Sequence, residues 1–165
     1  MANTFFAGNG AEPTTVSRVA VSTGTAIKTL LQVATPATRN ILLVSWGISF
    51  DGVTSTAVPG ICELLETDVA ASGGTVLTPT RYFDPNGPLS LCVGGAALTC
   101  FSPTAEGAIT AARTADVQHI SPASGQYVYQ WPLGREFKVG VSKFLRVRVK
   151  FAAAVNAMCW VQWEE

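Results

Sequence analysis

The chain has 165 residues, 13% of them charged, and its eleven basic side chains balance eleven acidic ones. An average soluble domain carries roughly 25% charged residues, so Ala, Gly, Ser, Thr and apolar atoms must supply the rest of this exterior. Such a balance offers no case for a nucleic-acid or membrane partner, and a charge-poor surface does little to oppose association. It points to permanent assembly, as an oligomer or as part of a larger shell.

The opening "MANTFFAGNG" has no basic segment leading into an apolar one, so no signal peptide is expected. No apolar run reaches the length of about 18 residues that suggests a membrane helix. Gly8, Asn9, Gly10 and Pro13 break any pattern, and residues 1–15 read as an extended N-terminal arm. Phe5 and Phe6 would be its anchor on a neighbour, because two phenylalanines on a loose terminus would otherwise expose apolar surface to no purpose. Residues 16–165 then form a single domain.

Short strands are expected at Val16–Val21 and Ala26–Ala34, separated by "STGT". "RNILLVSWGISFDG" carries the strongest strand signal. Leu42, Val44, Trp46, Ile48 and Phe50 share one face and are uniformly large and apolar, so that face should meet the core. Asp51-Gly52 marks its turn. "GICELLETDV" is compatible with a strand or a short helix, and its hairpin-like surroundings favour the strand. Between residues 71 and 126, "SGG", "DPNG", "GGAA" and "SPASG" interrupt strand-sized pieces, and "AEGAITAARTADVQHI" stays undecided between helix and strand. Connections of this length are often functional or lie in an interface.

The last forty residues are regular again. Pairing "FLRVRVKF" with "AMCWVQW" across Ala154 as a hairpin sets Leu145 against Trp163, Val147 against Val161 and Val149 against Cys159. The apolar face is then continuous, and a slip of one residue would turn arginines inward. Arg148 would lie over Trp160. In all, about eight antiparallel strands with little helix predict an all-β, single-domain β-sandwich of jelly-roll type, with a barrel as the alternative.

Six of the eleven basic residues lie at Arg135, Lys138, Lys143, Arg146, Arg148 and Lys150. They read either as a solvated outer sheet face or as a stripe for an acidic partner. Glu63, Glu66 and Asp68 would provide the matching acidic stripe on a second copy. Charge reversal at Arg146 and Arg148 is then expected to weaken assembly more than folding. Chemistry is thinly represented. His119 is the only histidine, Ser121 and Asp116 flank it without a nucleophile elbow, and no phosphate-binding glycine loop is present. Cys62, Cys92, Cys100 and Cys159 form no C-x-x-C pair and read as buried free thiols. No catalytic, cofactor or metal residue is assigned, and a small hydrolase would depend on His119 alone. Tyr127, Tyr129 and Trp131 share one strand face, as core, as subunit joint or as a sugar-stacking platform.

The segment "YQWPLGREFKVG…FLRVRVKFAAAVNAMCWVQWEE", from Tyr129 to Glu165, resembles small structural proteins of tailed-bacteriophage virions. The likeness lies in a basic alternating strand, an Ala-x-Asn turn and the terminal W-x-x-W-E-E. It implies a jelly roll seated on a capsid, often as a trimer, cementing neighbouring major capsid subunits. It also implies synthesis in the host cytoplasm and a place on the virion. The contact residues expected are Phe5, Phe6, Arg135, Lys138, Arg146, Arg148 and Lys150. The rival reading is a carbohydrate- or receptor-binding jelly roll of a phage tail or fibre.

Overall fold

A computed structural model describes residues 3–51, 58–95 and 98–165. Met1, Ala2, Gly52 of the expected turn and Ala96-Ala97 of "GGAA" lie outside them. The elements are β1 (Thr4–Gly8), β2 (Val21–Ser22), β3 (Lys28–Ala34), β4 (Ile41–Phe50), β5 (Gly60–Thr67), β6 (Thr75–Val76) and β7 (Thr80–Arg81). They continue as β8 (Cys100–Phe101), β9 (Ala112–Ile120), a 3-10 turn (Pro122–Ser124), β10 (Gln126–Gln130), β11 (Phe137–Val139), β12 (Phe144–Lys150) and β13 (Asn156–Glu164). No helix among the described residues is long and apolar enough to cross a membrane.

The strands form two antiparallel sheets that pack as a β-sandwich. One runs β10-β4-β13-β1-β7, with β11 also on β4 and β2 also on β13; the other runs β6-β8-β3-β12-β5-β9. Among the described residues eight strands have five or more residues. Among these the first pairs with the last (β1 with β13), the second with the seventh (β3 with β12), the third with the sixth (β4 with β10) and the fourth with the fifth (β5 with β9). That nesting is one long antiparallel ribbon rolled on itself, which is a jelly roll. The core between the sheets gathers Leu30, Leu64, Leu145 and Val147 from one side and Trp46, Ile48, Val161 and Trp163 from the other.

Four local expectations are corrected. Of the strand expected at Val16–Val21 only Val21 lies in one, because only Val21 and Ser22 reach β13 to pair, and Val16 and Val19 face water. The C-terminal ribbon is not a hairpin. β12 bonds β3 and β5, whereas β13 bonds β4, β1 and β2 in the opposite sheet. The inward residues are those expected, but they meet across the core instead of side by side. Phe151 and Val155 are buried in the connection, and Thr23 holds Val155 by N–H···O bonds of 2.8 and 3.1 Å. With Phe151 and Val155 anchored in the core and residues 152–154 exposed, the connection carries the chain from one sheet to the other. Arg148 therefore lies nowhere near the Trp160 ring.

The arm is likewise part of the body. β1 lies between β13 and β7, with Phe5 opposite Trp163 and Phe6 opposite Gln162. Strand β4 keeps its length but not its simple alternation. Trp163 pairs with Leu43 and Gln162 with Ser45, so Val44 is the extra residue of a bulge. Ile41 and Leu43 enter the core before the bulge, and Trp46 and Ile48 after it; Leu42 and Val44 do not. The undecided stretch before His119 is the edge strand β9, and "GICELLET" is the strand β5.

Candidate interaction surfaces

The expected contact residues do not come together. Phe5 is 1% exposed and packs on Trp163 with ring centroids 6.1 Å apart. It is core, and no neighbour can reach it. Phe6 points to the other side of the same sheet, half-buried and stacked on Trp160 at 5.9 Å. Arg135 and Lys138 are exposed on or before β11 in one sheet, and Lys150 is exposed on β12 in the other. These cations form no single stripe.

Arg146 is fully buried, at 0% exposure. It lies on the outer face of its sheet, but the segments around Val69 and Glu106 cover it. Its Nη1 donates to the Glu106 carbonyl at 2.8 Å and faces the Glu106 carboxylate at 3.4 Å, and its Nη2 donates to the Val69 carbonyl. Neighbouring Gln32, also buried, donates to the Leu98 carbonyl at 2.7 Å and accepts from the Ala71 N–H at 2.8 Å. Thr29 gives the Glu106 carboxylate two bonds of 2.6 Å. The central loops are thus tied to the sheet by a polar row that reads as exposed in sequence.

The acidic stripe meets the basic one inside a single chain. β5 is the neighbour of β12, so Glu63 receives the Arg148 Nε at 2.9 Å. Glu66 receives Arg113 at 2.7 Å and the Gly140 N–H at 2.8 Å. Asp68 is held by the Thr110 hydroxyl and by the N–H groups of Thr110 and Ala111, and those bonds to the charged form lower its pKa to about 2. Charges expected to join two copies are spent on local order.

His119 is exposed on β9, opposite Ile61. Asp116 is engaged elsewhere: it accepts from the Trp46 indole at 3.0 Å and the Tyr127 hydroxyl at 2.8 Å. Among the described residues no group of three His, Cys, Asp or Glu side chains is placed to hold a metal. Tyr127 packs on Trp46 and Trp131 is core, while Tyr129 is exposed over Trp131, so the three do not form the open platform that their alternation allowed. All four cysteines are free and buried. Burial pushes the Cys62 thiol up to about 12, with Glu63 adding to it, and burial likewise raises Cys92, Cys100 and Cys159. Since the thiolate is the reactive form, an aromatic disulfide reagent should label none of the four thiols in the native protein and all four in denaturant. A native thiol that reacts within the mixing time would contradict their burial.

The surface that sequence reasoning missed lies in the loop after β7. Phe83 is 74% exposed and Leu89 67%, and Tyr82, Leu91 and Val93 of the same loop are exposed as well. Five such side chains, each showing about half its area or more, present roughly 400 Å² of apolar surface, the size of a monomer's largest patch, which is often functional. The ridge is built to keep its shape. Arg81 donates to the carbonyls of Pro85 at 2.7 Å and Pro88 at 3.1 Å. Asn86 N–H donates to the Asp84 carboxylate at 2.9 Å, closing the "DPNG" turn. Glu165 accepts from the Ser90 hydroxyl, from the Leu91 N–H at 2.9 Å and from the Trp163 indole at 3.0 Å. Beside the ridge a cavity of about 500 Å³ is lined by Phe5, Arg81, Phe83, Asp84, Pro88 and Glu164. The available signal was compositional: a turn-rich stretch that keeps Tyr82, Phe83, Leu89 and Leu91 has no reason to be apolar unless something covers it. The chain matches no family model, no curated protein and no solved structure.

Proposed function

We propose that this protein is a non-enzymatic structural protein of a tailed-phage virion, a decoration or cement protein that bridges major capsid subunits. The observation that carries the reading is the braced apolar ridge from Tyr82 to Val93 on a charge-poor jelly roll. Cement acts by burying surface across a joint, so that separating subunits must re-expose it. The sandwich supplies a stiff body, and the ridge supplies apolar contact that needs no partner charge. Arg135, Lys138 and Lys150 remain exposed for rim contacts, which set orientation more than affinity. Self-association, with a trimer favoured, completes the reading.

The test is native mass alone, followed by co-sedimentation with purified phage heads. Oligomers that bind assembled shells are the expected result. Phe83→Ser with Leu89→Ser should weaken shell binding at least tenfold with little change in melting temperature, because both side chains already face water. A monomer that ignores shells, or a double variant that binds them unchanged, would overturn the proposal.

A further inference from the structure

The outer face of the β10-β4-β13-β1 sheet is a second surface, separate from the ridge. Register places its outward residues in rows, of which three side by side are uncharged, bordered by a row of Leu42, Glu164 and Thr4 that meets Lys138 of β11. The first is Gln130, Ser45, Gln162 and Phe6, the second is Val128, Gly47, Trp160 and Gly8, and the third is Gln126, Ser49 and Met158. None of these eleven positions carries a charge. Antiparallel sheets of this kind normally set charged side chains on their wet face. Arg18 closes the second row beyond Gly8, and its charge is already paired with Glu12 at 2.6 Å.

Trp160 is central to the face. A Cβ on Gly47 would stand 2.8 Å from the indole atoms, so the missing side chain lets the ring lie down on the strand. Phe6 stacks beside it at an interplanar angle of 25°. Val128, 54% exposed, flanks Gly47 on the other side. Amides border this apolar strip above and below. Gln126 and Gln130 are exposed, and Gln162 accepts from the Ser45 hydroxyl at 2.9 Å, which leaves its NH₂ free to donate.

We propose that this face binds a neutral oligosaccharide. The C–H side of a pyranose ring is apolar and packs on an aromatic ring, while its hydroxyl edges need groups that both donate and accept, as amides do. The three uncharged rows leave no ion to be desolvated under an uncharged ligand, and Glu164 and Lys138 stay at their border. Strands about 4.8 Å apart rising about 3.3 Å per residue make the grid about 14 by 13 Å, an oligosaccharide footprint. A dry joint between two copies is the less suitable occupant, because it would bury the glutamine amides with nothing placed to satisfy them. The site does not depend on the shell reading.

The test is calorimetric titration of the intact protein with cellohexaose, maltohexaose, chitohexaose and a galactan hexaose, with oligogalacturonate as the charged control. At least one neutral hexaose should bind saturably at millimolar concentration, and the control should not. Trp160→Ala should weaken binding at least tenfold. Trp160 also packs on Phe6, so Val128→Glu and the pair Gln126→Ala with Gln130→Ala, all at exposed positions, should weaken it with an unchanged thermal melt. Phe83→Ser should leave sugar binding intact, which separates this site from the ridge. Absence of binding to every neutral hexaose would overturn the proposal. So would binding that survives the Val128 and glutamine variants, or a Val128→Glu protein that binds no sugar and changes native mass, which would make the face a joint between copies.

Discussion

Arg146→Ala should lower the unfolding free energy by about 3 kcal/mol, the lower end for breaking a buried pair, because Glu106 remains partly exposed. The guanidinium holds the Val69 and Glu106 carbonyls, and removing it strands both under a loop with no water to replace it. A loss of that size is a large part of the roughly 5–15 kcal/mol that holds a domain together. Urea unfolding followed by fluorescence measures it. Arg146→Met with Glu106→Gln should recover part of the loss, because the apolar stem is kept and no carboxylate is left unpaired. Arg135→Ala, on an exposed cation, should change stability by less than about 0.5 kcal/mol. A loss at Arg146 below about 1 kcal/mol would mean that the loop is not held through this side chain. The charge-reversed Arg146→Glu, Arg148→Glu protein is therefore expected to fail in folding before its assembly can be assayed, which reverses the order expected from sequence.

Phe5→Ala should cost about 3–5 kcal/mol, as for a fully buried aromatic replaced by alanine. Phe6→Ala, one residue on, should cost about 1 kcal/mol, because that ring is half-buried on the outer face. The contrast follows from strand alternation alone: β1 sends Phe5 to Trp163 in the core and Phe6 to Trp160 outside. An N-terminal arm would give two small and equal effects in the isolated protein. Parallel thermal or urea melts of the two variants decide between these outcomes. Equal losses would return residues 4–8 to the arm reading.

Legibility differed from element to element. Strand type and the jelly-roll class were readable, because period-2 alternation and frequent turns leave few ways to bury one face. The inward residues of the C-terminal ribbon were readable for the same reason. Its partner was not, since an apolar face is satisfied equally by a hairpin neighbour and by a strand across the core. The bulge at Val44 was hidden because one inserted residue changes the phase of alternation without altering composition. Phe5 and Phe6 were misread because five residues that run straight into Asn9 and Gly10 show too little pattern to reveal a central strand.

Composition also showed that the exterior is poor in charge and that clustered chemistry is scarce, since side-chain identities are fixed along the chain whatever the fold. Where those charges go depends on contacts between residues far apart in sequence. Arg146 and Glu106 are forty residues apart, and Arg148 and Glu63 eighty-five. Only the closing of β12 against β5 and the laying of the central loops over that sheet turned an apparent stripe into internal ties. The same closure left the Tyr82–Val93 ridge and the uncharged Trp160 face outside, because a jelly roll buries one side of each ribbon and leaves the other side, with its longest loops, to whatever it meets.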